Sequence, residues 1–369
     1  MRVNGLLLGF LVPAIALLGA CGGGGGSGGS GGGGTGGSTG GAADCSANLT
    51  PIANADYCAS QAGDVNCAIV TAQQKYNSCG VALKEPPAAL LRSSTVMEYS
   101  GTGDPQTSCF DAGSYPAKPG ASQNVTVKGT AVIFSHGCSS NDLTIEFHKV
   151  VRGGADDGDV GDLIGTAVVT DKDCSVTGVS SMEETCDPAR YECIYEYPNV
   201  PTETELVVKT SGDLWAPLYD YSIFIRNDQV QAGVWQHDVR ALAADDYGVI
   251  SQVAIGGPIT AGNGAIAGEV HDCGDVRIQN AVLDVNVSRK ALTYFGDDEA
   301  HPLPDLSKKG TSTLGLYSAL DIAPGPVSIS AAGKDKDGKM VGLGFLKVRV
   351  FPDSVTTVTF RGMNPILVP

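Results

Sequence analysis

Catalytic equipment is what this 369-residue chain has least of. Its five histidines, His136, His148, His237, His271 and His301, are followed three positions on by Ser139, Val151, Arg240, Gly274 and Pro304. None opens the His-x-x-Glu pair that a hydrolytic zinc centre needs. Outside a glycine-rich run near the N-terminus there is no Gly-x-Ser-x-Gly elbow, and no Walker loop or His-Glu-x-x-His occurs. Nucleophilic, phosphate-transfer and metalloprotease chemistries therefore lack their signatures, and no enzyme is expected. No two cysteines keep C-x-x-C spacing, which argues against structural zinc. Positive charge is scarce, with 24 Lys and Arg against 40 Asp and Glu and a formal net charge of −16. Neither a nucleic-acid groove nor an electrostatic grip on anionic lipid fits that balance.

What is present begins with Arg2 and an apolar run from Leu6 to Leu18, interrupted by Pro13. The run is too short to span a bilayer permanently, so residues 1–20 read as a secretory signal. It closes in Leu18-Gly19-Ala20-Cys21, a tetrad that resembles the bacterial lipobox. The resemblance implies cleavage before Cys21 and acylation of that residue, and hence a membrane partner through an N-terminal lipid anchor. Each buried methylene adds about 0.8 kcal/mol, so two or three chains anchor stably. Gly22, where aspartate would favour inner-membrane retention, implies the outer membrane or cell surface. From Gly22 to Gly41 only Gly, Ser and Thr occur. Such a coil reaches about 25 Å, and residues 21–44 form the lipidated cysteine and its tether.

Setting Cys21 aside leaves ten cysteines, an even number that reads as five disulfides in an oxidising compartment. Residues 45–84 read as a small helical hairpin. Thr50-Pro51 and Asp64 suit helix starts, and Ala62-Gly63 suits the turn. Cysteines nearly equidistant from that turn face each other, which predicts bridges Cys45–Cys79 and Cys58–Cys67. Pairing of Cys109, Cys138, Cys174, Cys186, Cys193 and Cys273 stays open, because six cysteines allow 15 connectivities.

Residues 85–124, entered through Glu85-Pro86-Pro87, read as a connecting segment with additional strand structure around Ser94 to Tyr99. From Val125 short strand patterns and turn signals alternate. They include Thr130 to Phe134, Leu143 to Val151, Leu163 to Thr170, Tyr191 to Tyr197, Glu205 to Thr210, Trp215 to Arg226, Val234 to Leu242 and Val249 to Ile255. Tyr219, Tyr221, Ile223 and Ile225 are read as core rather than as a sugar platform. Residues 125–257 thus form a divergent β-sandwich, followed by a Gly/Pro linker. A strand leading into His136-x-Cys138 is echoed 135 positions later by His271-x-Cys273, which reads as an internal repeat. The expected architecture is mainly β: two tandem transthyretin/Ig-like β-sandwiches preceded by a small disulfide-linked helical hairpin.

The second sandwich, residues 264–362, carries Gly268-x-Val270-x-Asp272, Gly274, Ala281-x-Leu283-x-Val285 and Thr311. It continues with Gly315-x-Tyr317-x-x-Leu320-x-x-x-Pro324-Gly325-x-Val327-x-Ile329, then Ala331 and Gly333. This pattern resembles the carboxypeptidase regulatory-like domain, which implies a seven-stranded transthyretin-like sandwich without catalytic residues. Arg277-Ile278-Gln279 replaces the family's Pro-Ile turn, and Ser288 to Gly310 is a long insertion. The whole arrangement also resembles surface lipoproteins abundant in myxobacteria.

Asp156, Asp157, Asp159 and Asp162 crowd one loop and are calcium candidates. Asp335-Lys336-Asp337-Gly338 lacks the twelfth-position glutamate of an EF-hand, where Leu346 stands, and reads as a hairpin turn. His136 and His271 are read as equivalent strand ends before disulfide cysteines rather than as a soft-metal site. No other cofactor is expected. The chain is expected to be a non-catalytic cell-surface lipoprotein displaying β-sandwich modules for adhesion, envelope organisation or ligand binding. Its expected partner is an envelope protein or a glycan, with no nucleic acid. The alternative is an accessory subunit of a secreted peptidase or polysaccharide-processing machine.

Overall fold

A computed structural model describes residues 83–95, 99–110, 120–134, 143–152, 156–169 and 194–361. The signal, Cys21, the tether, the bridges Cys45–Cys79 and Cys58–Cys67, His136, Cys138, Cys174, Cys186 and Cys193 lie outside the described residues. Within them the chain is mainly β and sandwich-like. Its elements are β1 (Leu91–Arg92), β2 (Asn124–Ile133), β3 (Leu143–Val150), β4 (Val160–Val169), β5 (Ile194–Pro201), β6 (Glu205–Gly212), β7 (Trp215–Phe224), β8 (Val234–Gln236) and β9 (Val239–Ala243). Then come α1 (Ala244–Ile255), β10 (Gly264–Glu269), β11 (Ile278–Gln279), β12 (Val282–Val285), β13 (Ala291–Phe295), β14 (Pro304–Asp305), β15 (Leu316–Ile322), β16 (Gly325–Lys334), β17 (Met340–Val350) and β18 (Val355–Val358).

Thirteen strands form one sheet, whose main path runs β14-β13-β15-β10-β18-β7-β6-β3-β4. A three-stranded sheet, β12-β16-β17, packs against it. The joint in the large sheet is β18. It lies parallel to β10, with Ala265 opposite Val355, and parallel to β7, with Leu218 opposite Val355 and Asp220 opposite Thr357. The strands expected for two tandem sandwiches therefore hydrogen-bond into a continuous sheet, while the apolar interior stays divided. One core gathers Val127, Phe147, Tyr195, Val208 and Ile225 of the N-terminal half. The other gathers Ile266, Tyr317, Ile329, Val348 and Phe360 of the C-terminal half, joined by Tyr221 from β7.

Strand burial explains the second core. On β17 buried and half-buried residues nearly alternate, whereas β16, the middle strand of its sheet, is buried without a break from Val327 to Gly333, and Pro324 precedes Gly325 at φ 147°, a conformation that costs glycine least. The β16–β17 hairpin turns at Asp335–Gly338, where Asp335 Oδ1 accepts from the Asp337 and Lys339 amides and Gly338 has φ 79°. That turn matches the sequence expectation. The insertion Ser288 to Gly310 holds β13 and β14, which extend the large sheet beyond β15.

One strand expectation is corrected. Val249 to Ile255 is not a strand but the C-terminal half of helix α1. Asp245 and Asp246 in its first turn complement the helix dipole, and Gly256 ends it in the left-handed region at φ 71°. Its Val and Ile residues suggested a strand, yet Tyr247, Ile250, Ser251 and Ala254 keep helical spacing and face the sheet. Of the strand structure expected around Ser94 to Tyr99, residues 96–98 lie outside the described residues; the strand described nearby is β1, at Leu91–Arg92, paired antiparallel with β11.

Residues 83–95 and 99–110 are built into the C-terminal half. Leu90 is buried in its core, so close to Gly333 that a Cβ there would sit 2.4 Å from the Leu90 side chain. Arg92 Nε donates to Asp272 Oδ2 at 2.6 Å, and the Gln106 carbonyl accepts from the Cys273 amide. A disulfide, Cys109–Cys273, closes this segment over 164 residues. The motif residues earn their places here: Asp272 Oδ1 accepts from the amides of Gly274 and Val276, Thr311 Oγ1 bridges Ile278 and Ala281, and the Tyr317 hydroxyl donates to the Val358 carbonyl.

Candidate functional site: a polar cleft at the end of β18

The large sheet ends, at the C-terminal side of β18, in a polar cleft of about 270 Å³. It is lined by Tyr99, by Asp220, Tyr221 and Ser222 of β7, by Trp235 to Asp238, by Arg240 of β9 and by Thr359 and Arg361. These residues converge because β2 runs parallel first to β8 and then to β9. Where β2 passes from one to the other, His237 and Asp238 leave the ladder. Gly129 makes room for this, since a Cβ on it would lie 1.7 Å from the His237 carbonyl oxygen. Tyr195 holds that same carbonyl with its hydroxyl at 2.9 Å. The His237 ring then stacks on Trp235, centroids 4.6 Å apart, and its Nε2 is buried without a hydrogen-bond partner.

The charges of the cleft are paired beneath it. Glu269, at the end of β10, is buried and meets Arg240 at 2.8 Å, Arg277 at 3.2 Å and His271 Nε2 at 2.7 Å. Burial would raise its carboxyl, but Arg240, the His271 hydrogen bond and Arg277 outweigh that and hold it well below the ordinary value. His271 Nδ1 lies 2.7 Å from Asp275, which also pairs with Arg361 at 3.1 Å. Tyr99 takes the Arg361 guanidinium on its ring face at 4.9 Å and packs against the His271 ring.

Two cleft groups titrate away from their usual ranges. Burial pushes Asp220 up to about 6, against the pull of Arg240, the Thr357 hydroxyl that donates to it at 2.9 Å, and Arg361. Burial and the nearby Arg361 hold His237 down to about 3, so its ring is neutral. A carboxyl raised in the folded state stabilises fully below its unfolded value near 3.9 and loses that contribution as pH rises through about 6. Asp220→Asn should therefore gain up to about 3 kcal/mol on the wild type between pH 4 and pH 7. Urea midpoints at the two pH values read this directly. A constant difference would mean that Asp220 titrates normally.

The calcium candidates fall elsewhere and do not gather. Asp157 is buried against Lys347 at 2.9 Å and Arg152 at 3.4 Å, Asp159 pairs with Arg349 at 3.3 Å, and Asp156 and Asp162 are exposed. Arg152 also makes a short bidentate pair with Glu205. Among the described residues no three His, Cys, Asp or Glu side chains are grouped to hold a metal ion. Cys273, the neighbour of His271, is in its disulfide. Sequence reasoning identified His271 and Asp272 but missed the cleft, whose residues come from five separated stretches.

No protein-family model matches the chain. No curated protein matches it. Among solved structures it is similar to shaft pilin SpaA from Lactobacillus rhamnosus GG, at 9% identity over 65% of this chain and 97% of the pilin with a TM-score of 0.17. A single-mutant form of that pilin gives 9% and 0.20, and a double mutant 7% and 0.18, over the same shares. Overlap at that level is below what a common fold produces, and it lends this chain neither topology nor function. No helix among the described residues is long and apolar enough to cross a membrane.

Proposed function

We propose that this protein is a non-catalytic, surface-displayed β-sandwich lipoprotein that binds a neutral, hydroxyl-rich ligand such as an envelope glycan in the cleft at the end of β18. The observation that carries the reading is the composition of the cleft. Two guanidiniums, Arg240 and Arg361, face two carboxylates, Asp220 and Asp238, beside a neutral imidazole and the Trp235 ring. Such a surface offers hydrogen-bond donors and acceptors around an aromatic ring, which suits a polyol. The lipid anchor at Cys21 and outer-membrane display belong to this reading through the tetrad Leu18 to Cys21 and the tether. The carboxypeptidase regulatory-like assignment belongs to it through the hydrogen-bonded roles of Asp272, Thr311 and Tyr317.

Titrating the mature protein with a glycan panel, followed by tryptophan fluorescence, should give saturable binding without product release. Trp235→Ala should weaken it by about fivefold or more, since loss of a stacked aromatic costs about 1–3 kcal/mol. Steady hydrolysis of any glycan or peptide in the panel would overturn the non-catalytic reading.

A further inference from the structure

Next to the polar cleft, on the same face of the large sheet, lies a second cavity of about 100 Å³ with an almost wholly apolar wall. Its roof is α1, through Tyr247 and Ile250, and its floor is the sheet, through Leu218, Ala267, Leu320 and Val355. The strand registers place the two cavities end to end. Successive side chains of a strand alternate faces, so Val355, Thr357, Thr359 and Arg361 share one side. Val355 and Thr357 line the apolar cavity, Arg361 lines the polar cleft, and Thr359 lines both. Across the ladder, Leu218 stands opposite Val355 in the apolar part, and Asp220 stands opposite Thr357 and lines the polar part. Arg240 of β9 is the other residue common to both walls, and Glu269 neutralises it from below at 2.8 Å. Following β18 toward its C-terminal end, the sheet face therefore changes from hydrocarbon to hydrogen-bonding groups.

We propose that the two cavities together are one site for a single-chain amphiphile with an uncharged, hydroxylated head: head in the cleft, aliphatic chain under α1. A space of this size with a largely hydrocarbon wall holds water poorly and accepts an aliphatic chain. The polar end can satisfy several hydroxyls, and its two guanidiniums, already paired with Glu269 and Asp275, have little to offer an anionic head. This inference rests on the glycan-binding reading of the cleft and adds the chain to it.

The test titrates the mature protein with methyl, hexyl and octyl β-D-glucoside below their micellar concentrations, and with hexyl sulfate. Each methylene that enters the cavity should tighten binding about fourfold, until the space under α1 is full. Hexyl glucoside should thus bind at least tenfold more tightly than methyl glucoside, and more tightly than hexyl sulfate. Ala267→Leu, which fills the floor, should erase the chain-length dependence and leave methyl glucoside binding unchanged. Ile250→Trp, which fills the space from the helix, repeats the test should Ala267→Leu fold poorly. Equal binding of methyl and octyl glucoside would overturn the amphiphile and leave the glycan reading standing. Chain-length dependence that survives in the folded filled variants would place the chain elsewhere and overturn it too, as would tighter binding of hexyl sulfate. Absence of binding by every glucoside would overturn both readings.

Discussion

Glu269→Gln should be among the most destabilising isosteric changes in the described part of the chain, with an expected loss of about 3–5 kcal/mol. The side chain keeps its shape and loses only charge. Arg240 and Arg277, both close to the carboxylate and one of them buried, would then face an amide that cannot balance them. His271, fully buried, would lose one of its two carboxylate contacts. The loss should also depend on pH. A carboxyl held below its ordinary value stabilises above its unfolded value near 4.3, and that contribution fades as pH falls through the folded value. The gap between wild type and variant should therefore be widest near pH 7 and narrow in acid. Urea denaturation at pH 7 and at a series of pH values below 4 measures both, and a gap under 1 kcal/mol at pH 7 would mean that the cluster does not depend on this charge.

Removing the Cys109–Cys273 disulfide with paired serines should cost about 4 kcal/mol, within the 2–5 kcal/mol usual for a bridge and near the entropic limit for a long loop. The bridge closes 164 residues, a span that includes the whole N-terminal half of the large sheet. Without it, residues 99–110 are held by backbone contacts such as Gln106 to Cys273 and by the ion pair of Arg92 with Asp272. The thermal midpoint of the double variant should fall below that of oxidised wild type, every other bridge being left intact in both. A difference from oxidised wild type of less than 1 kcal/mol would show that the segment is held by packing of Leu83 and Leu90 alone.

Much of the C-terminal half was legible because its information is local. Gly315, Pro324-Gly325 and Asp335 to Gly338 mark turns whose backbone demands few residues meet, and they bound the strand-forming runs of β15, β16 and β17. Helix α1 was misread because Val249, Ile250, Val253 and Ile255 favour strands, and the helical spacing of Tyr247, Ile250 and Ala254 gains meaning only against the sheet that buries them. The partner of Cys273 could not be read, since cysteine spacing says nothing about which distant loop returns. The cleft was hidden for the same reason. Tyr99, Asp220, His237, Arg240 and Arg361 meet through the parallel registers of β18 with β7 and of β2 with β8 and β9, and no local pattern announces a parallel pairing over more than a hundred residues.

The position of β18 also sets an order of events in biosynthesis. The residues of β7 and β10 that pair with it leave the ribosome 90 or more residues earlier and must wait with an open edge on each side of the gap that β18 will fill. Pairings of such high sequence separation form slowly, and unpaired edges invite association with other chains. The two halves cannot mature independently in translation order, because the closing hydrogen bonds of the first are supplied by the last strand of the second. A nascent chain of this protein is therefore most in need of a chaperone in the interval between the emergence of β7 and that of Val355 to Val358.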